Sequence, residues 1–96
     1  MDIRTKIRYS KMIELSGNCE KKIILDVGAG INPVSNQLKT KKTIKMDGCK
    51  EHNPDIECNI NKGFPLEDNS IDLVLAGEII EHLVAPIRFV KECNRV

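Results

Sequence analysis

The chain has 96 residues, of which 41% are hydrophobic and 30% are charged, and this balance excludes a disordered or fibrous protein. The formal net charge is +1 and no apolar run reaches membrane-spanning length, so neither a membrane nor a nucleic-acid partner is expected. The amino terminus has no apolar signal core, which predicts a cytoplasmic protein with a single small fold.

The chain alternates helix-like and strand-like segments. An opening helix is predicted within residues 1–18, because apolar residues recur at helical spacing from Ile3 and Gly17 then offers a stop. Residues 19–96 are predicted to form the main domain, with strands over about Ile23–Gly28, Thr43–Asp47, Asp55–Asn59 and Ile71–Gly77. The fourth strand has the most buried-looking sequence. A closing helix begins at Pro86, and its predicted inward stripe comprises Ile87, Phe89, Val90, Cys93 and Val96.

A turn containing two glycines follows the first strand. Gly28 and Gly30 allow a tight bend and a close approach of the backbone to a ligand. Asn32 can then cap a helix with Pro33 at its first position, which completes a strand–turn–helix unit typical of nucleotide binding. The dinucleotide fingerprint G-x-G-x-x-G is not met, because its third glycine would fall at Pro33.

An acidic residue, Asp47, ends the second strand about 20 residues after the glycine turn. A carboxylate at this place can accept hydrogen bonds from both hydroxyls of a ribose. The alternative interpretation is that Asp26 caps a structural turn and that Asp47 is an ordinary loop acid.

Four sequence blocks carry a family resemblance: Asp26-Val27-Gly28-Ala29-Gly30, Met46-Asp47-Gly48, the stretch Asn59–Val74, and Glu81-His82-Leu83. Together they resemble the class I S-adenosyl-L-methionine (SAM)-dependent methyltransferases of the small type 11 kind, over residues 22–96. The resemblance implies an α/β, Rossmann-like parallel sheet with flanking helices, strand order 3-2-1-4, and SAM as cofactor. It implies a cofactor site made of Asp26, Gly28, Ala29, Gly30, Asp47, Gly48, Asn59, Ile60 and Glu78.

Two positions depart from the family pattern. Asn32 stands where the family often carries a third glycine, and asparagine adopts left-handed conformations more readily than most residues. Asn59 stands where the family often has aspartate, and its neutral amide oxygen is a weaker acceptor for an adenine amino group.

The resemblance implies seven strands for a complete enzyme, and the sequence accounts for four of them. The chain is therefore expected to be the amino-terminal, cofactor-binding part of a larger enzyme, or a truncated gene product, and to be inactive alone. The open edge of the fourth strand is expected to support self-association.

The resemblance implies direct displacement of the SAM methyl group by an acceptor. This reaction needs no covalent protein intermediate, which agrees with the small number of catalytic candidates in the sequence. Glu78 lies just past the fourth strand, where it could contact the methionine part of the cofactor or the acceptor. His82 could serve as a general base or simply hold a turn. The acceptor, whether a small molecule or a macromolecule, is not identified by the sequence.

Two other functions stay open at this stage. The chain could be a non-catalytic SAM-binding remnant or subunit, because a fold does not secure a function. A nucleotide-dependent oxidoreductase is the second, although the missing third glycine and the Glu81-His82-Leu83 block count against it. No metal site is expected, because Cys49, His52 and Cys58 are irregularly spaced and lack a fourth ligand.

Overall fold

The computed structural model describes residues 3–31, 33–77, 79 and 83–96. Its helices are α1 (Ile3–Ser16) and α2 (Pro86–Arg95), and its strands are β1 (Ile23–Val27), β2 (Lys42–Asp47), β3 (Ile56–Glu57) and β4 (Leu73–Leu75). The strands form one parallel sheet in the order β3-β2-β1-β4. This order and the flanking helices confirm the predicted Rossmann-like α/β fold.

The centre of the sheet is β1, which pairs with β2 on one side and with β4 on the other. Ile24 and Leu25 of this strand are completely buried, and Val27 is 1% exposed. The prediction that the fourth strand is the most buried was wrong. β4 is an edge strand, so its Leu73 and Val74 are only half-buried although their sequence is equally apolar.

The third and fourth strands are shorter than predicted at both ends, and at their amino-terminal ends an aspartate side chain bonds the neighbouring strand where backbone pairing would begin. The carboxylate of Asp55 accepts a hydrogen bond from the Lys45 amide at 2.8 Å, and β3 starts only at the next residue. The carboxylate of Asp72 likewise accepts from the Ile23 amide at 2.8 Å, just before β4. Each aspartate thus lies immediately before the first residue of its strand.

The helix expected after the glycine turn is only a four-residue 3-10 helix, Val34–Gln37. Pro33 precedes it in an extended conformation, and the predicted cap at Asn32 lies outside the described residues. The chain becomes extended again at Leu38, and only residues 38–41 remain before β2 begins. The described part of this crossover therefore contains one short 3-10 helix in place of the expected α-helix.

Two apolar clusters cover the two faces of the sheet, because neighbouring residues of a strand point to opposite sides. Ile24 belongs to the cluster that also receives Tyr9, Met12 and Ile13 of α1. Leu25 belongs to the other cluster, which contains Val27, Met46, Phe64, Ile79, Phe89 and Val96. The sheet is thus packed between α1 on one face and α2 on the other.

The buried stripe of α2 is narrower than predicted. Phe89 and Val96 are buried and Cys93 is half-buried, as expected for positions three and four apart on a helix. Ile87 and Val90 were wrongly assigned to this stripe, since they are 74% and 63% exposed. At 3.6 residues per turn both positions fall away from the Phe89–Cys93–Val96 line.

An ion-pair network attaches the crossover before β4 to the end of α2. Glu92 accepts a hydrogen bond from the Phe64 amide at 2.7 Å and another from Nε of Arg95 at 2.6 Å. Arg95 also donates to the Phe64 and Leu66 carbonyl oxygens, at 3.0 and 2.9 Å. These bonds attach the crossover to the last turn of α2, which lies at the amino edge of the sheet.

Candidate functional site

The loops after β1 and β2 meet at the carboxyl edge of the sheet. The Gly28 amide donates to the Met46 carbonyl oxygen at 2.8 Å, and the Gly30 amide donates to Oδ2 of Asp47 at 2.8 Å. Both glycines have left-handed backbone conformations, with φ values of 66° and 70°. The glycine turn predicted from the sequence is therefore attached directly to the end of the neighbouring strand.

The two glycines of this turn differ in what surrounds them. A Cβ atom at Gly28 would lie 2.8 Å from Cδ1 of Ile79, so a side chain at this left-handed position would require the buried Ile79 side chain to move. Among the described residues, a Cβ atom at Gly30 would have only the Gly28 carbonyl oxygen within 4 Å, at 4.0 Å. No other described residue thus fills the space above Gly30, which is the arrangement that a close ligand approach requires.

Asp26 is buried inside the turn, at 3% exposure. Its Oδ2 accepts two hydrogen bonds from Ser35, one from the hydroxyl at 2.6 Å and one from the amide at 3.2 Å. Burial raises the pKa of this carboxyl group, and the Ser35 bonds only partly offset that effect. Asp26 therefore ties β1 to the 3-10 helix from within.

Asp47 is held by three donors at the tip of β2. Its Oδ2 accepts from the Gly30 amide and from Nδ1 of His52, at 2.8 and 2.9 Å, and its Oδ1 accepts from the Cys49 amide at 2.9 Å. Burial opposes ionisation of this carboxyl group. The bonds from His52, Cys49 and Gly30 outweigh burial, so the pKa of Asp47 lies below its usual value. Asp47 is thus an ionised acceptor at neutral pH.

A cleft of about 410 Å³ continues from Asp47 along the ends of β2 and β3. Its walls are formed by Gly48, Glu57, Cys58, Asn59 and Ile60. Oδ1 of Asn59 accepts a hydrogen bond from the Asn61 amide at 3.0 Å, so the exposed side chain closes its own turn. Burial raises the pKa of the Cys58 thiol, so this lining residue is a neutral thiol at pH 7.

The structure brings most of the predicted cofactor residues to one edge of the sheet. Gly28, Ala29, Gly30, Asp47 and Gly48 lie in the two adjoining loops, and Asn59 and Ile60 line the cleft beside them. Asp26 lies beneath the first loop. Glu78 and His82, the candidates for contact with the reacting groups, fall outside the described residues.

His52 is a member of this site that the sequence did not predict as such. It lies in a second, three-residue 3-10 helix, Lys50–His52, which ends at the left-handed residue Asn53. This turn folds the ring back onto Asp47, five residues earlier in the chain. A histidine placed between a strand-ending aspartate and an Asn-Pro turn is the signal that could have indicated the contact.

Among the residues that the structure describes, no three histidine, cysteine, aspartate or glutamate side chains are arranged to hold a metal ion. Cys49 donates its thiol to Glu51 at 3.3 Å, whereas His52 contacts Asp47. All four cysteines are free. Within the described part of the chain, neither helix has the length and apolar character needed to cross a membrane.

Comparison with known protein families gives one match. A sequence model described as a methyltransferase domain matches residues 25–96, from the middle of β1 to the end of the chain. The matched range contains both glycines, Asp47 and the whole cleft. No curated protein and no solved structure gives a significant match.

Proposed function

The chain belongs to the methyltransferase domain family, and on this basis we propose that its carboxyl edge is a SAM-binding site. The domain would then supply the cofactor-binding part of a SAM-dependent methyltransferase. In this division, residues 1–18 form an accessory helix and residues 19–96 form the cofactor-binding domain. The alternatives of a non-catalytic remnant or subunit, and of an oxidoreductase, are outcomes of the experiment below.

The residues present fit the adenosine part of SAM. The backbone at Gly30 is open to an approaching ligand, and the ionised Asp47 carboxylate beside it suits the ribose hydroxyls. The cleft beyond Asp47 offers an apolar wall at Ile60 and a polar group at Asn59 for the adenine ring. One lone pair of the Asn59 oxygen is engaged by Asn61, which leaves its second lone pair and the amide NH₂ for the base.

SAM supplies an activated methyl group, since its sulfonium is a good leaving group for in-line displacement. The protein then has to hold the cofactor and align an acceptor. Asp47 fixes the ribose, and the turn at Gly28 and Gly30 lets the backbone support the methionine part. We assign Glu78 to the methionine part or the acceptor, and His82 to proton removal where the acceptor needs it.

The observation that carries this proposal is the open backbone at Gly30 joined to an ionised Asp47. Isothermal titration calorimetry tests it with SAM, S-adenosylhomocysteine, NAD and adenosine. We expect both SAM-type ligands to bind more tightly than adenosine, because their amino-acid part adds contacts. NAD should bind no more tightly than adenosine. Preference for NAD would favour the oxidoreductase, and SAM binding without methyl transfer to any acceptor would favour the remnant.

A further inference from the structure

Three donors, including the His52 ring, already occupy the carboxylate of Asp47. An ionised carboxylate offers about four acceptor positions on its two oxygens. Three of them are filled, two by backbone amides (Gly30 and Cys49) and one by the His52 ring. A ribose diol that places both hydroxyls on Asp47 needs two positions. One of the three present donors must therefore leave.

The donor that can leave most easily is His52. The amides of Gly30 and Cys49 belong to the loops that shape the site, and Gly30 is bonded directly to the strand end through Asp47 itself. The His52 side chain is 30% exposed and stands on a single 3-10 turn, so a rotation about its side-chain bonds takes the ring into solvent. Because an ionised carboxylate can only accept, Nδ1 of the ring carries the shared proton.

We propose that His52 is a gate on the ribose subsite. In the ligand-free chain its ring occupies Asp47, and the ribose diol displaces it on binding. This inference rests on the proposed function, because it assumes that the ligand carries a ribose. His52 is thus a positioning residue that keeps Asp47 ionised and aligned while lowering the affinity for adenosine.

Three variants of the full chain separate the gate from a structural role. His52→Ala removes the competing donor, and we expect it to bind adenosine about threefold to tenfold more tightly, as for loss of one competing hydrogen bond. His52→Asn keeps an N–H donor near the position of Nδ1, so its affinity should stay near that of the original chain. Lys50→Ala changes an exposed residue of the same turn and should leave the affinity unchanged.

The measurements are calorimetry with adenosine and 2′,3′-dideoxyadenosine at pH 7, and nitrogen NMR of the His52 ring. The dideoxy compound lacks the diol, so its affinity should not respond to His52. Adenosine should shift the Nδ1 resonance toward that of a solvent-exposed ring. If His52→Ala binds adenosine no more tightly than the original chain, the gate is overturned while the site stands. If no variant binds adenosine, the proposed function and the gate fall together.

Discussion

At the scale of single residues, Gly28 and Gly30 have different tasks although the sequence presents them as a pair. A side chain at Gly28 would strike Ile79, so a substitution there disturbs the core before it reaches a ligand. A side chain at Gly30 would enter open space. Only Gly30 therefore allows a clean test of ligand approach.

We expect Gly30→Ala to weaken S-adenosylhomocysteine binding at least tenfold, because the new methyl group occupies the ligand's approach. Gly17→Ala is the matched control. Gly17 has a similar φ of 66°, has nothing near its Cβ position, and lies at the end of α1. Both variants should lose about 1 kcal/mol of unfolding free energy from left-handed strain. Calorimetry measures the affinity of each variant, and urea unfolding measures its stability. An equal loss of affinity in the two variants would refute the role of Gly30.

At the scale of secondary-structure elements, the sequence predicts well what depends on strong patterns. The apolar run of β1, the strand order and the start of α2 at Pro86 agree with the structure. The aspartates that precede β3 and β4 were not predicted to delay these strands, because side-chain bonds such as the one from the Ile23 amide to Asp72 join residues far apart in the chain. The same holds for His52, whose contact depends on a turn with one left-handed residue. Patterns of polarity do not encode such contacts.

The junction between α2 and the crossover should depend on the ionisation of Glu92. The Arg95 bond, followed by the Phe64 amide, lowers the pKa of this carboxyl group in the folded chain. Its contribution is therefore present above the unfolded pKa and is lost as the pH falls through the lower folded value. We expect Glu92→Gln to cost about 1 kcal/mol at pH 7 and less at acidic pH.

Urea unfolding between pH 2.5 and 7 measures this difference. Glu67→Gln is the control, because Glu67 is an exposed glutamate of the same crossover. A Glu92→Gln penalty that stayed constant down to pH 2.5 would show that the carboxylate charge plays no part.

At the scale of the whole molecule, we assign self-association to the edge of β4, which no other described strand pairs with. Leu73, Val74 and Leu75 carry no charge, and they form a groove of about 230 Å³ with Met12, Leu15, Ser16 and Ala76. An uncharged edge strand is a template for further pairing. We propose that two chains pair through β4 about a twofold axis.

Sedimentation velocity across a dilution series should show a concentration-dependent dimer. Leu15→Lys places a charge at the rim of the β4 groove and should shift the equilibrium toward monomer. Ile87→Lys is the control, since Leu15 and Ile87 are both 74% exposed but Ile87 lies on α2. A monomer at every concentration, or equal effects of the two lysines, would contradict pairing through β4.

We propose that a SAM-type ligand binds at the carboxyl edge of the sheet. Amide NMR during titration with S-adenosylhomocysteine tests this binding most directly, because the amino edge of the same sheet carries another cleft, of about 300 Å³, near Ile23, Lys42 and Ser70. We predict saturable shifts at Gly30, Asp47 and Ile60, with little change in that second cleft. Shifts confined to Ile23, Lys42 and Ser70, or no saturable shifts anywhere, would contradict the account.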